Sequence, residues 1–300
     1  MDRKTKTRIF TLCVILFFTL FSVYFAFKES RSGILTVTFL NIGQGDAIFI
    51  DTPKGRQVLI DAGPDRSILR ELSAVLPFYD RSIDVAIATH ADQDHIGGMP
   101  DVLKKYKTDL FLEPGVSGKS SSYQELEKMV FKDETIGDIK KILVHKRMVL
   151  DLGSDVILYI LFPDRDPTGM ETNTASIVAK LVYGESEFIL TGDSPEQIEE
   201  YLVLENNKNK LGLDIDNNPI NLEADVLKAG HHGSRTSTSL DFVKSIHPKY
   251  AVISSGKENK YGHPHKEVLD ILNTNGVQIL NIAEIGRIVF KTDGKVLEIK

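Results

Sequence analysis

Apolar residues change their spacing at several points along the chain, and these changes predict an ordered series of strands and helices. Alternating and β-branched apolar residues indicate strands, whereas a period of about 3.6 residues, first seen at 66–76, indicates an amphipathic helix. The predicted strands are 35–40, 47–50, 57–60, 84–88, 109–112, 142–145, 156–162, 176–183, 187–190 and 225–228, followed by a final set of short strands. Further helices are predicted near residues 100, 121–131, 195, 240 and 266.

This succession predicts an α/β (α+β) fold. Strand-rich halves that each end in helices suit two sheets packed face to face with helices on the outside. One stretch, 205–221, is polar and rich in Asn and Lys, and it is expected to be a surface loop.

A long apolar run lies near the N-terminus. Between Ile9 and Phe27 only two threonines and one serine interrupt the apolar residues. At helical rise this run spans about 28 Å, close to the ~30 Å hydrocarbon thickness of a bilayer, and it lacks the polar stripe of a core helix. It therefore predicts a transmembrane helix. The chain divides into a basic tail and anchor over residues 1–30 and one folded domain over residues 31–300.

The charges beside this run predict its orientation. Residues 1–8 carry four basic side chains and one acidic side chain, and the positive-inside rule keeps such an end in the cytoplasm. The folded domain of this single-pass cell-membrane protein is then expected to be extracytoplasmic. The alternative is secretion after signal cleavage, although residues 24–27 offer no clear small-x-small cleavage site.

Composition limits the remaining classes of function. The net charge is −6 and the basic tail contributes +3, which leaves −9 for residues 9–300. Such a domain lacks the strong basic patch of a protein that grips long nucleic acid by itself. The single cysteine, Cys13, falls inside the apolar run, so no thiolate is expected at a metal site. With 42% hydrophobic residues, the domain can bury a large core without disulfides.

Four potential metal ligands follow the apolar run 85–88. The sequence T-H-A-D-Q-D-H-I-G contains His90, Asp92, Asp94 and His95. Two imidazoles and two carboxylates this close predict a cation between them, because otherwise they would repel or stay poorly solvated. The backbone has to turn for these side chains to converge, and Gly97 and Gly98 are expected to supply that freedom. A polar surface loop is the plain alternative.

This motif resembles the H-x-H-x-D-H signature of the metallo-β-lactamase superfamily of metal-dependent hydrolases, with Asp92 in place of the second histidine. The H-x-D-x-D-H variant is similar to the metallo-β-lactamase-like domain of the ComEC/Rec2 DNA-uptake proteins and their stand-alone relatives, which include choline-phosphate esterases. Support comes from N-I-G-Q-G-D-A at 41–47, L-K-A-G-H-H-G-S at 227–234 and Y-G-H-P at 261–264. The resemblance covers roughly residues 34–300 and implies an αββα sandwich.

The resemblance also implies a site for two divalent metal ions, zinc or manganese. Asp193 corresponds to the aspartate that bridges two metals in the family, although it is also placed to cap the next helix. Of His231 and His232, we favour His231 as the last ligand and expect His232 to face the substrate, because neighbouring strand positions point in opposite directions. The implied ligands are His90, Asp92, Asp94, His95, Asp193 and His231, and the implied catalytic residues are Asp94, His232 and His263.

Other polar residues are expected to support these ligands. Asp61 matches a family aspartate that orients the metal loop, and Asp46 lies with Gln44 on a glycine-rich turn that borders the site. An ordinary turn is the alternative explanation for each aspartate. Asn173 occupies the region where the superfamily supplies another histidine, and it touches a metal, holds a water or shapes a turn.

Substrate contacts are expected from three positions besides Asn173. His263 is placed to protonate a leaving group or to bind phosphate. Lys228 and Ser234 are expected to contact phosphate, although the segment around Ser234 is equally compatible with an ordinary loop. The remaining histidines, His145, His247 and His265, are expected to be structural or surface residues.

The expected activity is hydrolysis of a phosphodiester outside the cell. Two metal ions about 3.5–4 Å apart, with a hydroxide between them, suit an anionic phosphorus centre better than a neutral amide. Single-stranded DNA is one expected substrate, although the multi-helix DNA channel of the ComEC-like proteins is absent from this sequence. The alternatives are an envelope phosphate ester of the phosphocholine type and a non-catalytic, metal-stabilised envelope module.

Overall fold

The first strands form where the apolar alternation predicted them. In a computed structural model, which describes residues 2–30, 33–132 and 139–300, they belong to a sheet of eight described strands in the order β15-β14-β1-β2-β3-β4-β5-β6. Pairing is antiparallel from β15 to β3 and parallel from β3 to β6. The strands are β1 (Leu35–Phe39), β2 (Ile48–Asp51), β3 (Gln57–Ile60), β4 (Val85–Ile87), β5 (Leu110–Glu113), β6 (Lys140–Leu143), β14 (Ile288–Thr292) and β15 (Leu297–Ile299).

A second sheet contains seven described strands in the order β13-β12-β11-β10-β9-β8-β7. It is antiparallel from β7 to β10 and parallel from β10 to β13. The strands are β7 (Val149–Asp151), β8 (Val156–Phe162), β9 (Val178–Tyr183), β10 (Ser186–Leu190), β11 (Val226–Lys228), β12 (Tyr250–Ile253) and β13 (Gln278–Asn281).

Helices cross between the parallel strands and cover the outer faces of the sheets, because parallel strands need a crossover connection. The helices of the first sheet are α2 (Ile68–Val75), α3 (Gln93–Ile96), α4 (Met99–Lys105) and α5 (Ser121–Lys132). Those of the second half are α6 (Glu196–Asn207), α7 (Leu240–Ile246), α8 (Lys266–Thr274) and α9 (Ile282–Ile285).

Three apolar layers hold this arrangement together. One lies between the two sheets and includes Phe39, Leu158 and Phe188. The second joins the first sheet to its helices, and the third joins the second sheet to α6, α7 and α8. The predicted αββα sandwich is therefore confirmed.

The N-terminal helix α1 (Arg3–Ser30) precedes the sandwich. Its segment Arg3–Phe25 is long and apolar enough to cross a membrane and has none of its surface buried in the protein. This finding concerns length and composition, and a signal sequence near the N-terminus has the same properties. The predicted domain boundary after residue 30 remains a prediction, because residues 31 and 32 lie outside the described residues.

Several sequence-based expectations are corrected by the fold. The strand predicted at 142–145 begins two residues earlier, and the short edge strand β7 and helix α9 were missed. The stretch 205–221 is not simply a polar surface loop, since α6 continues to Asn207 and Leu211 and Ile220 are buried. These two apolar side chains anchor the connection to the core.

The glycines of the metal loop have another role than the predicted one. Gly97 and Gly98 adopt ordinary helical angles, and the loop contains the single-turn helix α3. A Cβ atom would lie 1.9 Å from the carbonyl oxygen of Pro64 at Gly97 and 2.4 Å from that of Ala62 at Gly98. Close packing against the segment after β3, rather than an unusual backbone angle, therefore requires glycine here.

Candidate metal centre

The carboxyl ends of four strands bring the polar residues together between the two sheets. Asp61 follows β3, His90 follows β4, Asp193 follows β10, and the His231–His232 pair follows β11. Asp46 joins them from the turn between β1 and β2, where Gly45 packs so closely that a Cβ atom would lie 2.0 Å from the carbonyl oxygen of Asp94. The glycine-rich turn therefore packs against Asp94 of the T-H-A-D-Q-D-H motif.

A buried carboxylate lies beside the Nδ1 atom of each of two imidazoles, as a hydrogen-bond partner at His95 and as an ion-pair neighbour at His232. His95 Nδ1 lies 2.8 Å from Asp61 Oδ2, and His232 Nδ1 lies 3.4 Å from Asp46 Oδ1. The two Nε2 atoms consequently face each other at 3.3 Å. When Nδ1 carries the proton of a neutral imidazole, Nε2 presents a lone pair. Two lone pairs then point into one small volume, as two ligands of one cation would.

Asp193 links this pair to the other histidines. Its Oδ1 lies 3.3 Å from His95 Nε2, and its Oδ2 lies 3.4 Å from His232 Nε2, 3.7 Å from His231 Nε2 and 3.9 Å from His90 Nε2. The side chain does not cap α6, whose N-cap is Pro195. Both carboxylate oxygens are therefore directed toward imidazole nitrogens, as a bridging ligand requires.

The remaining members of the T-H-A-D-Q-D-H motif lie at opposite sides of Asp193. Asp94 Oδ2 is 3.3 Å from His232 Nε2, whereas Asp92 Oδ2 is 3.9 Å from His90 Nε2. The Nε2 atom of His90 is buried and makes no hydrogen bond within the described part of the chain. The motif thus places one carboxylate, Asp92, beside His90 and another, Asp94, beside His232.

Burial and neighbouring carboxylates set the charges of these histidines. Burial lowers the pKa of His90 to about 3, and the positive charge of His95 acts in the same direction. Burial also disfavours the charged form of His95, yet Asp193 and Asp61 raise the pKa of His95 well above its ordinary value. The pKa of His232 is likewise raised by Asp193 and Asp46 against the effect of burial. The carboxylates therefore favour positive charge between His95 and His232.

A bound metal ion would balance the charge of these carboxylates better than protons on both His95 and His232 do. Imidazolium groups with Nε2 atoms 3.3 Å apart would repel each other, and two protonated nitrogens cannot share a hydrogen bond. Asp46, His95, Asp193 and His232 each offer a ligand atom, and these atoms all lie within 4.8 Å of one another. The donor set, oxygen and imidazole nitrogen without sulfur, fits a divalent cation.

His231 and His232 both reach the site, which corrects the argument that one must point away. They lie in a 3-10 turn, Gly230–Gly233, rather than in a strand, and both have positive φ angles, 48° and 55°. His232 is nearly fully buried beside His95, whereas the His231 side chain is 29% exposed. The geometry favours His232 for the position at which the sequence analysis placed His231.

Lys228 and Ser234 lie beneath the site instead of at its surface. The Lys228 ammonium is fully buried, forms an ion pair with Asp46 and donates to the Gly192 carbonyl oxygen at 3.1 Å. Ser234 is buried and accepts a hydrogen bond from the Thr236 hydroxyl at 3.0 Å. Neither side chain is presented to a substrate, so their predicted phosphate contacts are not supported.

Asn173 and His263 each line a cleft beside the site, and the His263 ring centroid lies 5.7 Å from that of His231. Asn173 Oδ1 is buried without a hydrogen-bond partner in the described structure, and Asn173 lines a cleft of about 460 Å³ together with Asp92. His263 lines a second cleft of about 510 Å³. Burial and the positive charges of His232 and His231 lower the pKa of His263 to about 4. At neutral pH this imidazole is uncharged, which does not suit a resident proton donor.

Two positioning residues were missed in the sequence. Thr89 donates to Asp61 from its backbone at 2.8 Å and from its hydroxyl at 2.7 Å, and its place directly before His90 was the available signal. Asn259 holds the segment that carries His263, since its amide donates to the Gly256 and His263 carbonyl oxygens at 2.8 and 2.7 Å and accepts from the His263 backbone N–H at 2.9 Å. No sequence pattern marked Asn259.

Two sheets enclosed by helices, with aspartates and histidines gathered at their strand ends, define the class of metal-dependent hydrolases. The family model of the metallo-β-lactamase superfamily matches residues 40–257. This chain therefore belongs to the metallo-β-lactamase superfamily, as its motif indicated.

The chain is also similar to longer bacterial proteins. It is 31% identical over 278 residues to ComE operon protein 3 of Bacillus subtilis strain 168, covering 87% of this chain and 33% of that protein. It is 27% identical over 272 residues to Recombination protein 2 of Haemophilus influenzae, covering 87% and 29% respectively. The chain spans about a third of the length of these relatives. The predicted ComEC/Rec2-like resemblance is confirmed.

A solved structure shows the same fold. Igni18, a metallo hydrolase from Ignicoccus hospitalis, has a TM-score of 0.54 to this chain and covers 85% of it, and 98% of Igni18 is matched. The identity of 11% restricts this likeness to the fold.

Proposed function

We propose that the chain is a membrane-anchored phosphodiesterase that depends on two divalent metal ions and cuts strands such as single-stranded DNA. The observation that carries this proposal is Asp193, whose two oxygens face imidazoles on both of its sides. A carboxylate in this position suits two cations that share it as a bridge. The names of the relatives, which refer to recombination and to a ComE operon, favour nucleic acid as the substrate.

The proposed ligands fall into two groups that share Asp193. His90 and Asp92, with the more exposed His231, would hold one metal ion, and Asp94, His95 and His232 would hold the other. When bound, such ions lower the pKa of a water molecule and stabilise negative charge on phosphoryl oxygens. Asp61 keeps the Nε2 atom of His95 directed at the site through its hydrogen bond to Nδ1. Asp46 lies 3.4 Å from His232 Nδ1 and forms an ion pair with Lys228.

The two clefts support a diester with an arm on each side of the reacting phosphorus. One opens at Asp92 and carries Lys119, and the other opens at His263 and carries Lys257. Each lysine offers a positive charge to a flanking phosphate, which a simple monoester does not have. His263, neutral and with Nδ1 unpartnered among the described residues, offers the substrate a hydrogen bond.

The helix α1 is proposed as a membrane anchor that leaves the sandwich outside the cytoplasm. Its length and apolar character support membrane insertion, and the basic residues of its first turns support a cytoplasmic N-terminus. The substrate would then be an extracytoplasmic strand.

A substrate screen with the metal ion varied tests the proposed activity. We would assay the detergent-solubilised full chain with manganese or zinc against single-stranded DNA, bis-p-nitrophenyl phosphate and p-nitrophenyl phosphocholine. Because the proposed ligands include three carboxylates and no sulfur, manganese should support diester cleavage at least as well as zinc. Cleavage of the phosphocholine ester alone would favour the esterase alternative. Metal binding without turnover of any substrate would favour a non-catalytic module.

A further inference from the structure

Two adjacent aromatic side chains project from the connection between α2 and β4. Phe78 is 86% exposed and Tyr79 is 60% exposed, and their rings pack edge to face with centroids 5.4 Å apart. Exposure of both rings to water forfeits the free energy that burial of their apolar surface would supply. An exposed aromatic pair of this kind is a candidate for contact with apolar material.

Hydrogen bonds and strand register fix this pair at one end of the first sheet. Asp80 accepts a hydrogen bond at 2.7 Å from the side chain of Gln57, the first residue of β3. Gln57 pairs with Asp51, and Asp51 pairs with Thr36 near the start of β1. The aromatic pair therefore lies at the end of the sandwich where β1 begins.

The proposed metal ligands belong to the opposite end. They follow the last residues of β4, β10 and β11, whereas Phe78 and Tyr79 precede the first residue of β4. Asp46 likewise follows β1 rather than preceding it. The aromatic pair therefore lies at one end of the strands of the first sheet, and the candidate site lies at the other end.

Chain continuity places the apolar helix at the same end as the aromatic pair. Only four residues, 31–34, separate Ser30, the end of α1, from Leu35, the start of β1. The five residue-to-residue steps between Ser30 and Leu35 reach at most ~18 Å. The first residue of the sandwich therefore lies within that distance of the point where the helix ends.

We infer that Phe78 and Tyr79 rest in the headgroup and upper acyl region of the bilayer that α1 crosses. Phenyl and phenol rings suit this boundary, since it is apolar on one side and wet on the other. Arg81, two residues after Tyr79, is exposed and supplies positive charge for anionic headgroups, whereas the intervening Asp80 is hydrogen-bonded to Gln57. This inference rests on the membrane anchor proposed above. Its consequence is that the metal end of the sandwich faces away from the bilayer.

Tryptophan fluorescence tests this contact directly, because the natural chain contains no tryptophan. We would insert the full-length Phe78→Trp variant into vesicles of phosphatidylcholine and phosphatidylglycerol in which part of the phosphatidylcholine carries brominated acyl chains. Ile285→Trp is the matched control, since Ile285 is 57% exposed and lies in α9 near the His263 cleft. Bromine should quench the Phe78→Trp variant several-fold more than the control, with emission shifted to the blue.

The possible results separate this inference from the anchor itself. Equal quenching of the two variants, in chains that resist carbonate extraction, would overturn the aromatic contact and leave the anchor standing. Extraction of both variants by carbonate would contradict both the proposed anchor and the aromatic contact. A blue shift that appears in detergent and rises with protein concentration would point to a second copy of the chain on this surface, and would likewise overturn the inference.

Discussion

At the level of single residues, the candidate site depends on carboxylates that face nitrogen atoms. Asp193 is buried, and burial alone would raise its pKa, yet His232 and His95 lower the pKa of Asp193 well below its ordinary value. The carboxylate is therefore ionised, and its oxygens are directed at the positions proposed for the metals. Neutralising it removes a charge that both cations would share.

Asp193→Asn should reduce turnover of bis-p-nitrophenyl phosphate by several orders of magnitude, because the change removes the bridging charge with little change in volume. Manganese should also raise the melting temperature of the variant less than that of the natural chain, since bound metal stabilises only the folded state. His145→Asn, at an exposed position, is the control and should leave both measurements unchanged. Equal turnover by the two variants would show that the site lies elsewhere.

At the level of elements, α6 holds the segment that carries His231 and His232. Glu199, on the buried face of α6, accepts backbone hydrogen bonds from Thr238 at 2.6 Å and from Ser239 at 2.7 Å. Burial raises the pKa of Glu199 to about 7, although these N–H groups act against the shift. The helix and the histidine segment are thus joined through a titratable group.

This contact predicts a pH dependence of stability. The folded pKa of Glu199, about 7, exceeds the value of about 4.5 expected when the chain is unfolded. The protonated group therefore favours the folded state below pH 4.5, and this contribution, on the order of 3 kcal/mol, is lost as the pH rises from about 4.5 to 7. The unfolding free energy of the natural chain relative to Glu199→Gln should fall across that window and stay constant above it.

Denaturant unfolding at a series of pH values measures this difference. Glu200→Gln, at an exposed position of the same helix, is the matched control. A difference between natural chain and Glu199→Gln that does not change from pH 4.5 to 7 would contradict the assignment.

At the level of the whole molecule, the proposed anchor and the candidate site belong to opposite ends of the sandwich. The helix α1 joins β1 at its start, whereas the proposed ligands follow the ends of β4, β10 and β11. An outward-facing domain on this anchor would present the site to substrates outside the cell.

Topology can be measured on cells stripped of any wall or outer membrane. If α1 spans the bilayer with its basic end inside, as proposed, added protease should digest the folded domain and carbonate washing should leave the full chain in the membrane fraction. Protection of the domain would place the enzyme in the cytoplasm. Release of a shortened soluble chain beginning near Lys28 would instead establish a cleaved signal peptide.

The sequence by itself predicted most of the elements and most of the residues that are proposed for the site. Apolar periodicity predicts strands and helices because side chains repeat every two residues in a strand and every 3.6 in a helix. Close spacing in the chain also brought His90, Asp94 and His95 together without knowledge of the fold. Short edge strands such as β7 were missed because too few of their residues are buried to leave a pattern.

Only the tertiary structure decided how distant residues share the site. It placed Lys228 under Asp46 instead of at a substrate, and it turned both His231 and His232 inward through backbone angles that strand alternation does not predict. The positioning role of Asn259 was recognised only from its hydrogen bonds to the Gly256 and His263 carbonyl oxygens. Local spacing fixes which side chains are neighbours along one element, whereas packing of the two sheets fixes which strand ends meet, and that depends on contacts between residues far apart in the chain.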